Sequence, residues 1–310
     1  MDAARIMRML QTSGGIFSLP QIFTANRNSQ CVPAVEHAAL LISWEDDDLD
    51  VIYELRGLAN TFKYEFQFSV ECYAIPSINS SMCLERFLNS WLHKSIQNNI
   101  PLIVYYAGHG GLDSQSKLTW AAHKSRHGVA SPRLNWSDLQ AALEHGQSRI
   151  LIILDCCDAV GAFNHSSPPG SSSGAGVTEL IAACGFNDST DGPGRSSFTN
   201  ALQKSLLHFS ANDGGFSSAE LHQKILAQLL QPQTRGKSPL SSATPVHVRL
   251  CGDARLPSVA FKGYSRDNCE HWPMLQSLGE LVLAIPSLKD VLPLGWKLPL
   301  TDGKSVFEGP

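Results

Sequence analysis

Two residues in this chain have the types and spacing for nucleophilic chemistry. They are His109, within residues 104–111 (VYYAGHGG), and Cys157, within residues 153–158 (ILDCCD). A thiol is only a few per cent thiolate at neutral pH, and a neighbouring imidazolium raises that fraction. A Cys–His pair can therefore attack a carbonyl carbon and pass a proton to the leaving group. The glycines around His109 let backbone approach a bound chain closely. The amides of Gly110 and Cys157 are then natural donors to an oxyanion, since fixed backbone donors need no reorganisation. Each residue also has a plainer reading. A free cysteine at a strand end is usually buried and inert, and Cys156 reads as such an inward-packing hydrophobe. A histidine in a glycine-rich loop is often only a turn residue.

Such chemistry needs elements that bring the two blocks together. Residues 38–44 (AALLISW), 100–107 (IPLIVYYA) and 149–154 (RILIIL) are apolar runs suited to buried parallel strands. Residues 66–73 alternate apolar and polar as a half-buried strand does, and 178–184 and 245–250 read as two further strands, the last at an edge. Apolar recurrence predicts helices over 49–62, 81–97, 137–145 with Ser137 as N-cap, 197–209 and 217–230. Strands alternating with helices predict a three-layer α/β/α sandwich with a mainly parallel six-stranded sheet. Sites in such sheets form beyond the carboxyl ends of the strands, where both chemical blocks begin. Loops are expected after His109, over 164–176 (Ser/Pro/Gly-rich) and over 231–244. The domain is expected over 36–262, with an extension at 1–35 and an unassigned tail at 263–310.

Taken together, the two blocks resemble the signature blocks of caspase-like cysteine peptidases, the caspase, metacaspase and paracaspase group. Their 48-position separation matches the roughly 50 residues between His and Cys in caspases. Residues 44–49 (WEDDDL), 178–186 (TELIAACGF), 197–199 (SFT) and 245–250 (PVHVRL) resemble the version of this domain widespread in filamentous fungi. The resemblance implies that the cysteine two after the aspartate, Cys157, is the nucleophile and that His109 is its partner. It implies a cysteine endopeptidase acting in regulated cell death or stress signalling. In the metacaspase branch the aspartate two before the cysteine helps bind a basic side chain, which here is Asp155. Asp46, Asp47 and Asp48 end a strand on the same sheet edge, so cleavage after Arg or Lys is expected, through carboxylate–guanidinium contacts. Asp155 could instead brace the following turn. The three aspartates could form a solvated turn or a helix N-terminus. Arg195 is the only Arg or Lys between Cys157 and Lys204, hence the candidate self-cleavage site.

The chain departs from the caspase pattern in lacking the Q-A-C-x-G block. Asp158 puts a carboxylate beside the nucleophile, which disfavours a thiolate. That feature keeps a second reading open, a catalytically weak or inactive scaffold. A small-ligand-binding domain is a third reading, disfavoured because residues 236–238 (GKS) lack the upstream glycine of a phosphate loop. Asp113 is the only acid between His109 and Asp138, too few oxygens for the six to eight ligands of a calcium site. His123 and His127 lack the glutamate of a zinc helix. No metal or cofactor is expected. The 310 residues carry a net charge of -4 and no basic run, which gives no reason to expect nucleic acid. Eight cysteines without a C-x-x-C pair, and no signal-like or membrane-length apolar stretch, suggest a reduced intracellular protein, cytoplasmic or nuclear. Peptides are the expected substrates, with a homodimer through the last strand as a further possibility.

Overall fold

The apolar runs fold as strands because a sheet covered on both faces buries every side chain along them. The computed structural model describes residues 37–262, apart from 97–99, 125–129, 145–147, 166–175, 186–187, 189, 191, 212–214, 231, 234–236 and 240–242. The expected extension at 1–35, the tail at 263–310 and most of the Ser/Pro/Gly stretch lie outside the described residues. In chain order the elements begin with β1 (Ala38–Trp44), α1 (Ile52–Asn60), β2 (Ser69–Ile75), α2 (Ser80–Ile96) and β3 (Leu102–Ala107). Next come β4 (His109–Leu112), β5 (Leu118–Ala121), β6 (Arg133–Asn135), α3 (Trp136–Glu144), β7 (Arg149–Asp155) and β8 (Val177–Ala182). They end with α4 (Phe198–Ala211), β9 (Phe216–Ser217), α5 (Ser218–Leu229), β10 (Pro232–Gln233), β11 (Lys237–Pro239), β12 (Val246–Cys251) and β13 (Ala260–Phe261).

Six strands form one sheet in the order β12-β8-β7-β3-β1-β2. All neighbours are parallel except β12, which runs antiparallel to β8 at the edge, as expected for the last strand. The period of two divides each strand between two apolar layers. Leu40 and Ile42 join Leu84, Leu88 and Trp91 of α2 and Leu139 and Leu143 of α3. Ala39 and Leu41 face the other way, onto Leu55 and Leu58 of α1, Leu202 and Leu206 of α4, and Leu221 and Ile225 of α5. The result is the expected α/β/α sandwich. No helix among the described residues is long and apolar enough to cross a membrane.

Several boundaries differ from expectation. The strand expected at 66–73 begins at Ser69, because α1 continues into a π-helical turn, Thr61–Glu65. The amide of Phe68 then donates to the Phe62 carbonyl (3.0 Å). Phe66 and Phe68 thus pack among Phe62, Phe216 and Phe261 rather than in the sheet. The region after His109 is a three-stranded antiparallel sheet, β4-β5-β6, whose strands of three or four residues are too short to show a period. Ser137 lies inside the first turn of α3, which starts at Trp136, so it is not the N-cap. Two other serines do cap. Ser197 Oγ accepts from the Asn200 amide (3.0 Å), and Ser217 forms a capping box with Glu220. The loop expected over 231–244 carries the β10–β11 hairpin.

Candidate active site

The two chemical blocks leave adjacent strands. β3 and β7 are parallel, and Ala107 stands opposite Asp155 at their carboxyl ends. The Gly108 amide donates to the Asp155 carbonyl (3.2 Å), extending the pairing by one residue before the chain turns into β4. Gly108 has φ +152°, and a Cβ there would lie 2.7 Å from the Tyr106 hydroxyl oxygen. A Cβ on Gly110 would lie 2.8 Å from Cys156 Sγ and closer still to the Cys157 carbonyl oxygen. Gly110 therefore lies directly on the turn that carries Cys157, and a larger residue would force the two blocks apart.

Behind this turn, Tyr106 donates its hydroxyl to the His109 carbonyl (2.9 Å) and accepts from Trp44 Nε1 (3.1 Å). Its ring stacks on Trp120 at 3.7 Å, and both are fully buried. Cys156 packs inward as expected. Its thiol is buried and burial pushes its pKa well up. Cys157 is half-buried and opens onto a cleft of about 240 Å³. Leu49, Val51 and Glu54 line that cleft together with Ala107, Gly108, His109, Lys124, Asp155, Thr190, Gly192 and Pro193.

Asp155 lines the cleft, and its bonds run to hydroxyls on α4 and β3 rather than to the turn that follows it. Its Oδ2 accepts from Thr199 Oγ1 (2.6 Å) and from the Tyr105 hydroxyl (3.4 Å). Burial pushes its pKa up to about 6, with the nearby Glu54 charge adding to the rise and the Thr199 hydroxyl opposing it. Among the described residues no cation pairs with it. Glu54 is the second acid of the cleft. Its Oε1 accepts from the Gly194 amide (2.8 Å) and Ser197 Oγ (2.7 Å). Arg195 stands exposed between these two anchors.

The three consecutive aspartates are not among the cleft-lining residues, and each has a different partner. Asp46 accepts from Ser77 Oγ (2.6 Å). Asp47 accepts from the Leu49 (3.2 Å) and Val51 (3.1 Å) amides, which braces the turn leading into α1, although Val51, the N-cap of that helix, has no side-chain cap. Burial raises the Asp47 pKa, opposed by those amides and by the His109 charge. Asp48 Oδ1 lies 2.5 Å from His109 Nε2. Asp158 sits in a left-handed conformation (φ 55°) that aspartate tolerates better than most residues. Its amide donates to the Asp188 carbonyl (3.2 Å), and its own carbonyl accepts from Gly161 (2.8 Å), so it shapes the tight turn after the thiol.

Sequence reasoning missed Glu54 and Lys124, and it gave Tyr106 no role beyond its place in residues 104–111. Thr199 was visible only as part of residues 197–199. Nothing in the pattern of α1 separates Glu54 from the other polar residues of that helix.

A family model described as the caspase domain matches residues 48–243. The crystal structure of caspase-1 from Spodoptera frugiperda is similar at 12% identity and a TM-score of 0.48, covering 74% of this chain and 94% of that one. The crystal structure of drICE is similar at 11% identity and a TM-score of 0.43, covering 71% and 90%. No curated protein sequence matches the chain.

Proposed function

Because the chain belongs to the caspase-domain family of cysteine peptidases, we propose that it cleaves peptide bonds with Cys157 and His109, after Arg or Lys. The observation that carries this reading is one cleft lined by both residues and by two carboxylates, Asp155 and Glu54. The Cys157 thiolate adds to the scissile carbonyl, and the Gly110 and Cys157 amides stabilise the oxyanion. His109 protonates the departing amine. It then takes a proton from the water that hydrolyses the thioester, restoring the thiol. Among the described residues no cation pairs with buried Asp155, so a guanidinium or ammonium entering the cleft relieves its unfavourable charge. Glu54 adds a second acceptor once its bonds to Gly194 and Ser197 yield.

Self-processing after Arg195 follows from the same preference, as it is exposed beside the cleft-lining segment. The edge strand β12 offers a seam for a homodimer. No cofactor enters the reaction, and a role in cell death or stress signalling rests on family analogy alone.

The test is turnover of fluorogenic Arg, Lys and Asp tetrapeptides, with and without calcium, beside Cys157→Ala. Arg or Lys turnover abolished by the substitution is expected. A well-folded protein silent in every condition would instead support an inactive scaffold, the reading that Asp158 beside the thiol favours.

A further inference from the structure

We propose that Asp48 is the positioning residue of His109, holding imidazole Nε2 so that Nδ1 serves the Cys157 thiol. The inference rests on the Cys–His function proposed above and deepens it. A Cys–His pair works only if the ring is kept in one orientation and its protonated form is stabilised. Asp48 Oδ1 lies 2.5 Å from Nε2, short enough for a charge-assisted hydrogen bond. The imidazole is 11% exposed and the carboxylate 25%, so the pair is more sheltered than an ordinary surface ion pair.

The backbone on both sides of Asp48 is fixed. Upstream, the Glu45 amide donates to the Ile75 carbonyl (3.0 Å), Glu45 Oε1 accepts from the Ser77 amide (2.7 Å) and Asp46 accepts from the Ser77 hydroxyl. On the other side, Asp47 holds the Leu49 and Val51 amides. The His109 backbone is fixed too, through Tyr106. The carboxylate and the ring therefore meet without either searching, which is what preorganisation requires. Of the three aspartates in a row, only the third is aimed at the ring, although Asp47 acts on it through space.

The proton path follows. The thiol proton passes to Nδ1, leaving a thiolate and an imidazolium whose Nε2–H donates to Asp48. After attack, Nδ1–H passes to the departing amine as its bond to carbon breaks. Asp48 remains ionised throughout. The charged and titratable groups that bond to His109, act on it or line the cleft with it are Asp47 and Asp48 after β1, Glu54 on α1, Tyr106 on β3, Lys124 after β5, and Asp155 and Cys157 at the end of β7. Removing Asp48 thus takes away the carboxylate bonded to the ring and leaves the others in place.

The test uses the full chain, wild type beside Asp48→Asn, with Asp48→Ser as a second variant and thermal unfolding to verify the fold. Iodoacetamide alkylation of Cys157 is followed by mass spectrometry across pH, a readout that needs no turnover. In the variants the imidazolium is less stable, so the thiolate forms at higher pH. The alkylation midpoint is expected to rise by about one pH unit, with the rate at pH 6 about tenfold lower. Arg-peptide kcat is expected to fall at least tenfold with KM unchanged, since Asp48 does not line the cleft. An unmoved midpoint in folded variants, whatever happens to turnover, overturns the role of Asp48 and leaves the Cys–His reading standing. Wild-type Cys157 reacting at pH 6 no faster than a free thiol overturns both, because there is then no ion pair to position.

Discussion

Asp155 ends β7 and Glu179 lies within β8, the neighbouring strand, and both are buried, at 9% and 1% exposure. Their surroundings differ. Burial pushes Glu179 up, but His247 (3.6 Å), Ser218, the Val259 amide (2.9 Å) and Arg249 (3.0 and 3.3 Å) outweigh it and bring the pKa down to about 2. Arg249 also donates to the Asp253 (2.8 Å) and Leu256 (2.9 Å) carbonyls, so one carboxylate ties β8, β12, α5 and the 253–259 segment together. Among the described residues Asp155 has two hydroxyls and no cation as partners, and its pKa is pushed up to about 6. A buried charge with its partners in place is structure. A buried charge with donors but no counter-charge is disposed to bind a cation from outside.

The comparison can be broken most directly at Glu179. Glu179→Ala leaves Arg249 without its carboxylate and the Val259 amide without its acceptor, and is expected to cost about 3–5 kcal/mol. For a domain of this size that is roughly 10 °C in Tm, read by thermal unfolding. A Tm within a degree of wild type would show that the network holds nothing. Asp155→Asn should do the reverse. Its Tm is expected to stay level or rise, because a neutral amide escapes the cost of a buried charge. Its kcat/KM on Arg peptides is expected to fall about a hundredfold, or about 2.7 kcal/mol. A drop in Tm with Arg turnover intact would make Asp155 a brace like Glu179 and erase the distinction.

The contrast also marks what the sequence could carry. β1, β3 and β7 were legible because burial on both faces demands unbroken Ile, Leu and Val, and the His and Cys blocks because they end two of those strands. β4, β5 and β6 were not, since three or four residues including a glycine pair have no period to read. Asp46, Asp47 and Asp48 are chemically identical in sequence, yet they bond to Ser77, to the entry of α1 and to His109. Glu54 meets Gly194 and Ser197, some 140 positions away, and Tyr106 meets Trp44 across 62. Those pairings are set by how strands and loops pack, and no local pattern encodes them. Glu179 illustrates the same limit, since the sequence shows it only as one residue of the strand read over 178–184.

The smallest effect sharpens the comparison through pH. Asp155 has a folded pKa of about 6 against an ordinary 3.8, so its contribution to stability is full below about 3.8 and is lost as pH rises through 6. Glu179 has a folded pKa of about 2 against an ordinary 4.5, so its contribution is present above 4.5 and is lost as pH falls toward 2. The two carboxylates should therefore tilt the stability curve in opposite directions, over windows that Asp155→Asn and Glu179→Gln would each flatten. Binding reports the same titration. An Arg side chain prefers ionised Asp155, so below pH 6 each complex must first release a proton. Between pH 7 and pH 5 the kcat/KM ratio of an Arg peptide to its neutral citrulline counterpart is expected to fall up to about tenfold, or about 1.4 kcal/mol. Dividing by the citrulline value removes any titration of His109 and Cys157, which both substrates share. A flat ratio across that range would mean that the carboxylate at the end of β7 never meets the basic side chain.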